Sequence, residues 1–398
     1  MKPAIQFSLF LIVLQVHNGH GDKDPLQEKL ASSIADFAFK FSRQVASLQS
    51  GKKNIFFSPL SISMAFSMIG MGAKSNSQNQ IYKGLGLTSI DTSKIHKEFE
   101  QLIQRLNSPG AKIDIGNALW IKKSHQILPK FSEGVKSLYK TENFNFEQPS
   151  VAQNKINDYV KKKTHGKITK AVQDLKPTDI MVLVNYIYFK DDWEYPFDPK
   201  LTHKEDFFID EGKTVKVDMM ENTEHYRYFH DKALSCWVVE LPHKGGAAAW
   251  FILPDKGKLK KVEDAMGEKT LSKWRKSLEE GDKISLFLPK FSMSASYDLN
   301  NVLSGLGITD VFSSNADLSG ITGSSGLKIN KAIHQAVLDI HEKGSEAAGV
   351  TVVMTEFLSL SLSDPVVLKF NRPFFLTILA PNDGPLLFMG KVMNPVQK

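Results

Sequence analysis

Between residues 26 and 49 (LQEKLASSIADFAFKFSRQVASLQ) apolar side chains return every three or four positions, the spacing of one buried helix face. The pattern breaks at Asn54-Ile-Phe-Phe-Ser58-Pro59. There a hydroxyl residue followed by proline is the start signal for a second helix through LSISMAFSMIGMGA. Residues 94–106 (KIHKEFEQLIQRL) read as an amphipathic helix, 112–121 (KIDIGNALWI) as an alternating strand, and 150–162 as helix again. Residues 180–189 (IMVLVNYIYF) are almost all apolar and rich in β-branched and aromatic types, which predicts a strand buried on both faces. Asn185 within it is expected to be a hydrogen-bonded core amide.

From residue 214 onward strands dominate: VKVDMM, CWVVELP, AAAWFILP and ISLFLPKFSMSASY, with helices at 268–278 and 298–306. A turn-rich stretch (NADLSGITGSSG) leads into a strand, KINKAIHQAVLDIHEKG, that runs through Gly344, and three strands close the chain: VVLKF, FFLTILA and LLFMGKV. Helices and strands interleave without a repeat, linker or low-complexity tract, so a single α+β domain is expected. One segment does not fit. Gly344 to Pro365 (GSEAAGVTVVMTEFLSLSLSDP) has strand composition in a connecting position, with no helical stripe and no proline before its end. A connection of about twenty residues inside a compact domain signals a functional loop.

The first residues change the cellular picture. Ile5 to Val16 is an apolar run of about a dozen behind Met1-Lys2, too short for the roughly 20 residues a membrane span requires. It reads as a secretory signal peptide, residues 1–21, cleaved near Gly19 to Gly21 and leaving a secreted domain of 22–398. Removing Lys2 takes the formal charge from +7 to +6, a mild excess that permits a polyanion-binding patch without requiring one. Cys236 is the single cysteine, so the chain holds no internal disulfide. Its strand-like surroundings (ALSCWVVEL) favour a small buried hydrophobe, with a free thiol open to mixed disulfides as the other reading. No Asn-x-Ser/Thr acceptor occurs, because Asn107-Ser108 precedes Pro109 and Asn222-Thr223 precedes Glu224.

Catalytic signatures are missing from the sequence. It contains no HExxH, CxxC or GxSxG, and no GxGxxG behind a strand. Met68 to Ser75 (MIGMGAKS) ends like a phosphate loop, but Met68 and Ala73 stand where that motif needs glycines. His334, on an apolar strand face, is expected to be a hydrogen-bonded core residue and not a base.

Nine blocks, taken in order, carry a resemblance. They are NIFFSPLSISMAFSMIGMGA (54–73), IGNALWI (115–121), INDYVKKKTHGKI (156–168), LVNYIYFKDDWEYPF (183–197), LPKFSMSASYDL (288–299), ADLSGI (316–321), HQAVLDIHEKGSEAAG (334–349), FNRPF (370–374) and LFMGKVMNP (387–395). Together they resemble the serpins, in particular the secreted antitrypsin and antichymotrypsin-like group. The resemblance implies a fold of three β-sheets with about eight to nine helices and an exposed reactive-centre loop, here about 344–365. It implies a secreted protease inhibitor that is not an enzyme and needs no cofactor or metal. Glu342, Gly344, Ser345, Glu346, Ala347, Ala348, Gly349 and Val350 match the hinge from which that loop inserts into a sheet. Val350 stands where inhibitory members usually carry alanine. Ser58, Asn185 and His334 match the polar cluster beneath the place where the sheet opens, and Trp193 the tryptophan at its top. Counting from Glu342 as the family does, the scissile bond falls between Leu358 and Ser359, with Phe357 and Leu360 as the alternative attacked residues, both of the same apolar class.

A protease reads the residue before the cut, so Leu358 behind Phe357 suits the deep apolar pocket of a chymotrypsin-like enzyme in a covalent 1:1 complex. If Ser345, Ala347, Gly349, Thr351 and Val353 turn inward on insertion, no charge is buried, and Glu346 stays on the solvated face. Lys269, Lys273, Arg275 and Lys276, near Lys256, Lys258, Lys260 and Lys261, form a cluster of the kind some serpins use for heparin. Lys161, Lys162 and Lys163 with Lys167 form another, and otherwise both are solvated faces. No membrane or nucleic-acid partner is implied, and a monomer is expected. The alternative function is a non-inhibitory carrier of a small hydrophobic hormone. Carriers often have charged, proline or bulky hinge residues, whereas this hinge is nearly all small.

Overall fold

The computed structural model describes residues 24–49, 53–106, 113–345, 365–382 and 384–397. Two helix starts follow from the same chemistry. The Asp24 side chain accepts the Leu26 N–H and Pro25 takes the first turn of the helix Pro25–Leu48, which buries Leu30, Ile34, Phe37, Phe41 and Val45 on one stripe. The Ser58 hydroxyl accepts the Ser61 N–H at 3.1 Å, and Pro59 opens the helix Pro59–Gly72. That second helix is buried on nearly every side, which accounts for its all-round apolar sequence punctuated only by serines.

Among the described residues, sixteen strands form three sheets of seven, four and five strands. The five-stranded sheet positions the site. Its strands run in the order Phe291–Asp298, Lys331–Ile340, Met181–Phe189, Ile113–Lys122, Glu142–Phe146. Met181–Phe189 is buried at all nine positions, as its apolar run required. The pair Lys331–Ile340 and Met181–Phe189 is parallel, while both outer flanks of that pair are antiparallel. The parallel ladder runs from Lys331–Val182 to Val337–Tyr188. On the other flank, pairing of the same strand continues to Ile340–Phe291.

Ten α-helices stand among the described residues beside the three sheets, the architecture that the resemblance implied; Leu259–Ala265 and Ser319–Thr322 were not read along the chain because they are too short to show a period. The strands Glu142–Phe146 and His203–Asp210 escaped the sequence reading because exposed and buried positions mix along both. The strand expected through Gly344 ends at Ile340, where His341 and Gly344 bond across a tight turn. Cys236 is fully buried and its thiol is pushed up to about 12 by burial, which decides for the packed hydrophobe. No helix among the described residues is long and apolar enough to cross a membrane.

Candidate functional site

One row of side chains crosses the five-stranded sheet: Tyr297, His334, Asn185 and Asn117 occupy paired positions on four neighbouring strands. Asn185 Oδ1 accepts from the Ser61 hydroxyl at 2.8 Å and lies 2.6 Å from His334 Nδ1. Its Nδ2 donates to Asn117 Oδ1 at 2.9 Å and to the Ser61 carbonyl at 3.1 Å. The Ser58 backbone N–H donates to His334 Nε2 at 3.0 Å, so that nitrogen is the acceptor and Nδ1 carries the proton toward Asn185. Burial pushes His334 down to about 3, which keeps the ring neutral and this tautomer fixed. The cluster ties the helix Pro59–Gly72 to both strands of the parallel pair. Ser58, Asn185 and His334, matched on sequence to one polar cluster, meet here in space, and Asn117 and Ser61 join them unannounced. Asn117 pairs directly with Asn185 across the ladder, a contact visible only once the register is known.

The second part of the site lies where both strands of the pair end. Trp193 is 1% exposed. Its indole N–H donates to the His341 carbonyl at 3.0 Å and its backbone N–H to the Lys343 carbonyl at 2.7 Å. Gly344 passes so close to the backbone of Asp191 and Asp192 that a Cβ there would sit 2.1 Å from the Asp191 carbonyl oxygen. Only glycine fits. Ser345 follows, its N–H bonded to the Asp191 carbonyl at 2.7 Å and its hydroxyl 3.1 Å from His243 Nε2. Glu342 pairs with Lys290 at 3.0 Å and accepts from the Thr202 hydroxyl at 3.1 Å. Burial works to raise its carboxyl, but backbone and Lys290 hydrogen bonds hold it below the usual range. Three hinge residues expected from sequence are therefore held near Trp193 by other partners: Glu342 by Lys290 and Thr202, Gly344 by the Asp191–Asp192 backbone, and Ser345 by Asp191 and His243. Glu346, Ala347, Ala348, Gly349, Val350, Leu358 and Ser359 lie outside the described residues.

The basic cluster divides. Lys269, Lys273 and Lys276 are exposed along one stripe of the helix Glu268–Ser277, whereas Arg275 is half-buried. Lys273 is also engaged, its ammonium 2.7 Å from the buried Asp231 carboxylate, which takes the Trp274 indole N–H as well. A cleft of about 270 Å³ opens beside the strand ends, lined by Arg227, Glu240, His243, Trp250, Ala248 and Leu379. The Arg227–Glu240 ion pair at 2.8 Å lies within it.

The family model described as Serpin (serine protease inhibitor) matches residues 32–395. The chain is 45% identical to alpha-1-antiproteinase 2 of the horse, Equus caballus, over 388 residues, 96% of this chain and 91% of the relative. It is 44% identical to human alpha-1-antichymotrypsin over 376 residues, 92% of this chain and 88% of the relative. Among solved structures, human thyroxine-binding globulin complexed with thyroxine superposes with a TM-score of 0.87 at 43% identity, covering 94% of this chain and all of that one.

Proposed function

Since the chain belongs to the serpin family, we propose that it is a secreted inhibitor of chymotrypsin-like serine proteases, acting as a suicide substrate. In this reading residues 1–21 are a signal peptide, and 22–398 form a domain that works as an extracellular monomer. The protease attacks the Leu358 carbonyl and forms an acyl-enzyme, releasing Ser359 as the new amino terminus. The freed loop then enters the five-stranded sheet as an added strand and carries the acylated protease with it, leaving a covalent 1:1 complex.

The observation that carries this reading is the parallel pair Lys331–Ile340 and Met181–Phe189. The loop departs from the end of the first of these strands through the turn at His341–Gly344. A chain that turns back there runs antiparallel to both neighbours. Insertion would thus replace one parallel ladder with two antiparallel ones, the more stable pairing per residue. Ser345 to about Thr355, eleven residues, is long enough to run beside the ten-residue strand Lys331–Ile340. The inward positions Ser345, Ala347, Gly349, Thr351 and Val353 bring no charge into the sheet.

The test mixes the protein with chymotrypsin and resolves the products on a denaturing gel. A band near the summed masses is expected, together with a large gain in thermal stability of the cleaved inhibitor. Rapid cleavage at 358–359 into fragments, with no covalent band and no gain in stability, would refute the proposal.

The likeness to thyroxine-binding globulin favours carriage of a small hydrophobic hormone as the second reading. The cleft beside Trp250 is slightly smaller than the roughly 300 Å³ at which ligand pockets begin, and an ion pair crosses it. The small hinge residues also speak for insertion. Saturable thyroxine binding by a chain that forms no protease complex would reverse this order. Within the basic cluster, heparin affinity is assigned to the exposed stripe Lys269 and Lys276, with Lys273 and Arg275 less available.

A further inference from the structure

His243 sits on the turn after the strand Cys236–Pro242 and is 3% exposed. Its ring stacks on Trp193, centroids 4.3 Å apart and tilted 32°, and meets Phe189 edge-on at 5.1 Å. Nε2 lies 3.1 Å from the Ser345 hydroxyl, the last described side chain before the loop. Nδ1 is buried with no hydrogen-bond partner among the described residues. One imidazole therefore touches the end of one strand of the parallel pair and the departure point of the loop that follows the other. The motif reading used Trp193 and the hinge but gave this residue no part.

We propose that His243 is a positioning residue for loop insertion: as a neutral ring it pins Ser345 outside the sheet, and on protonation it releases the hinge, so that mild acid speeds opening. The inference rests on the insertion reading above. A neutral imidazole tolerates this setting, because one nitrogen bonds Ser345 and the rest of the ring packs on aromatic carbon. An imidazolium has two N–H donors to satisfy, and the one at Nδ1 finds no free acceptor. Only the Ala247 carbonyl lies nearby, which already accepts the His243 backbone N–H at 2.8 Å and offsets little of the cost of burying the charge.

The charged neighbours do not supply one. Asp191 spends a carboxylate oxygen on the Gly245 N–H at 2.9 Å, and Glu342 is held by Lys290 and Thr202. Glu240 is taken by Arg227 and by the Trp250 indole N–H. Asp192 and Glu194 flank Trp193, Lys244 follows His243 on the turn, and His341 and Lys343 lie on the hinge beside Ser345.

The sign follows from linkage. Burial holds His243 at about 3 in the closed state, while a ring left in water when Ser345 departs returns toward 6.5. The closed state binds fewer protons. Its advantage is complete above about 6.5 and is lost as pH falls from there toward 3. For one such proton the closed-to-open ratio falls about tenfold between pH 7.5 and 5.5. His334 is shifted in the same direction, so the experiment must separate the two.

The test uses the full chain and a synthetic peptide with the sequence of residues 345–358, following its incorporation on native gels and by thermal stability at pH 7.5 and 5.5. Incorporation is expected to be about tenfold faster at pH 5.5. His243→Gln, which offers Ser345 a hydrogen bond but does not titrate, should give equal rates at both values. His243→Phe keeps the stacking and loses the bond, and should be fast at both. A change below twofold in the unsubstituted chain overturns the latch, as does a full tenfold rise retained in His243→Gln, which would place the proton elsewhere. If the two variants fail to fold, a flat profile of the unsubstituted chain still overturns the latch, and a tenfold rise supports it only if His334→Gln retains that rise, a loss of the rise in His334→Gln overturning it. Peptide that enters at neither pH overturns the sheet-opening reading and the latch with it, whereas entry with a flat profile overturns the latch alone.

Discussion

Replacing Asn185 by alanine tests the polar cluster as a clamp on the parallel strands. Asn185 is fully buried and spends both amide hydrogens and both oxygen lone pairs, bonding Ser61 twice, His334 and Asn117. Truncation leaves the His334 Nδ1–H and Asn117 Oδ1 buried with no near substitute, while the Ser61 hydroxyl keeps the Ser58 carbonyl at 3.3 Å. At about 1–3 kcal/mol for each orphaned group, the loss centres on about 4 kcal/mol. Unfolding entropy of about 2.1 cal/mol/K per residue over 398 residues converts this to a fall of about 5 °C in Tm. Circular dichroism during heating measures it, with urea unfolding as a check. Asn117→Ala should cost less in the Asn185→Ala background than alone, because its partner has already gone. A Tm within 1 °C of the unsubstituted protein, or strict additivity of the two substitutions, would refute the clamp.

Four further outcomes are expected. Gly344→Ala places a Cβ against the Asp191 carbonyl and forces the backbone apart, costing about 1–3 kcal/mol; calorimetry should record a lower Tm, and an unchanged value would mean the turn accommodates a side chain. Leu358→Arg should move the covalent complex from chymotrypsin to trypsin on a denaturing gel, since the primary pocket reads that residue; a trypsin complex that fails to appear would move the scissile bond. Lys269→Ala and Lys276→Ala should lower the salt needed to elute the protein from heparin with Tm unchanged. Lys273→Ala, by contrast, strands the Asp231 carboxylate, whose side chain is 1% exposed, and should cost about 1–3 kcal/mol of stability.

Much of the fold was legible along the chain. The stripe in residues 26–49, the Ser58-Pro59 start and the nearly all-apolar run at 180–189 each became the element they predicted, because period and capping are local properties. Glu142–Phe146 and the helix Ser319–Thr322 were missed because a partly exposed edge strand and a single turn leave little pattern to read. The site was legible in part. Ser58, Asn185, His334 and Trp193 were each recognised as matches to a family motif, yet nothing local distinguishes Asn185 from any other amide in a buried strand.

What the sequence determined by itself was which segments are buried, where helices begin, and that residues 344–365 are strand-like without a place in an ordinary domain. What tertiary structure decided was pairing. Strand register alone sets Asn117, Asn185, His334 and Tyr297 in one row, although they are separated by 68 to 149 residues where they bond. The close approach of the Asp191 backbone alone makes Gly344 obligatory. The contact of His243 with Ser345 spans 102 residues and joins two turns that share no periodic signal. Periodicity reports which way a side chain faces relative to its own backbone. Hydrogen-bond partners across a sheet depend on which strands lie side by side, and folding the whole chain settles that.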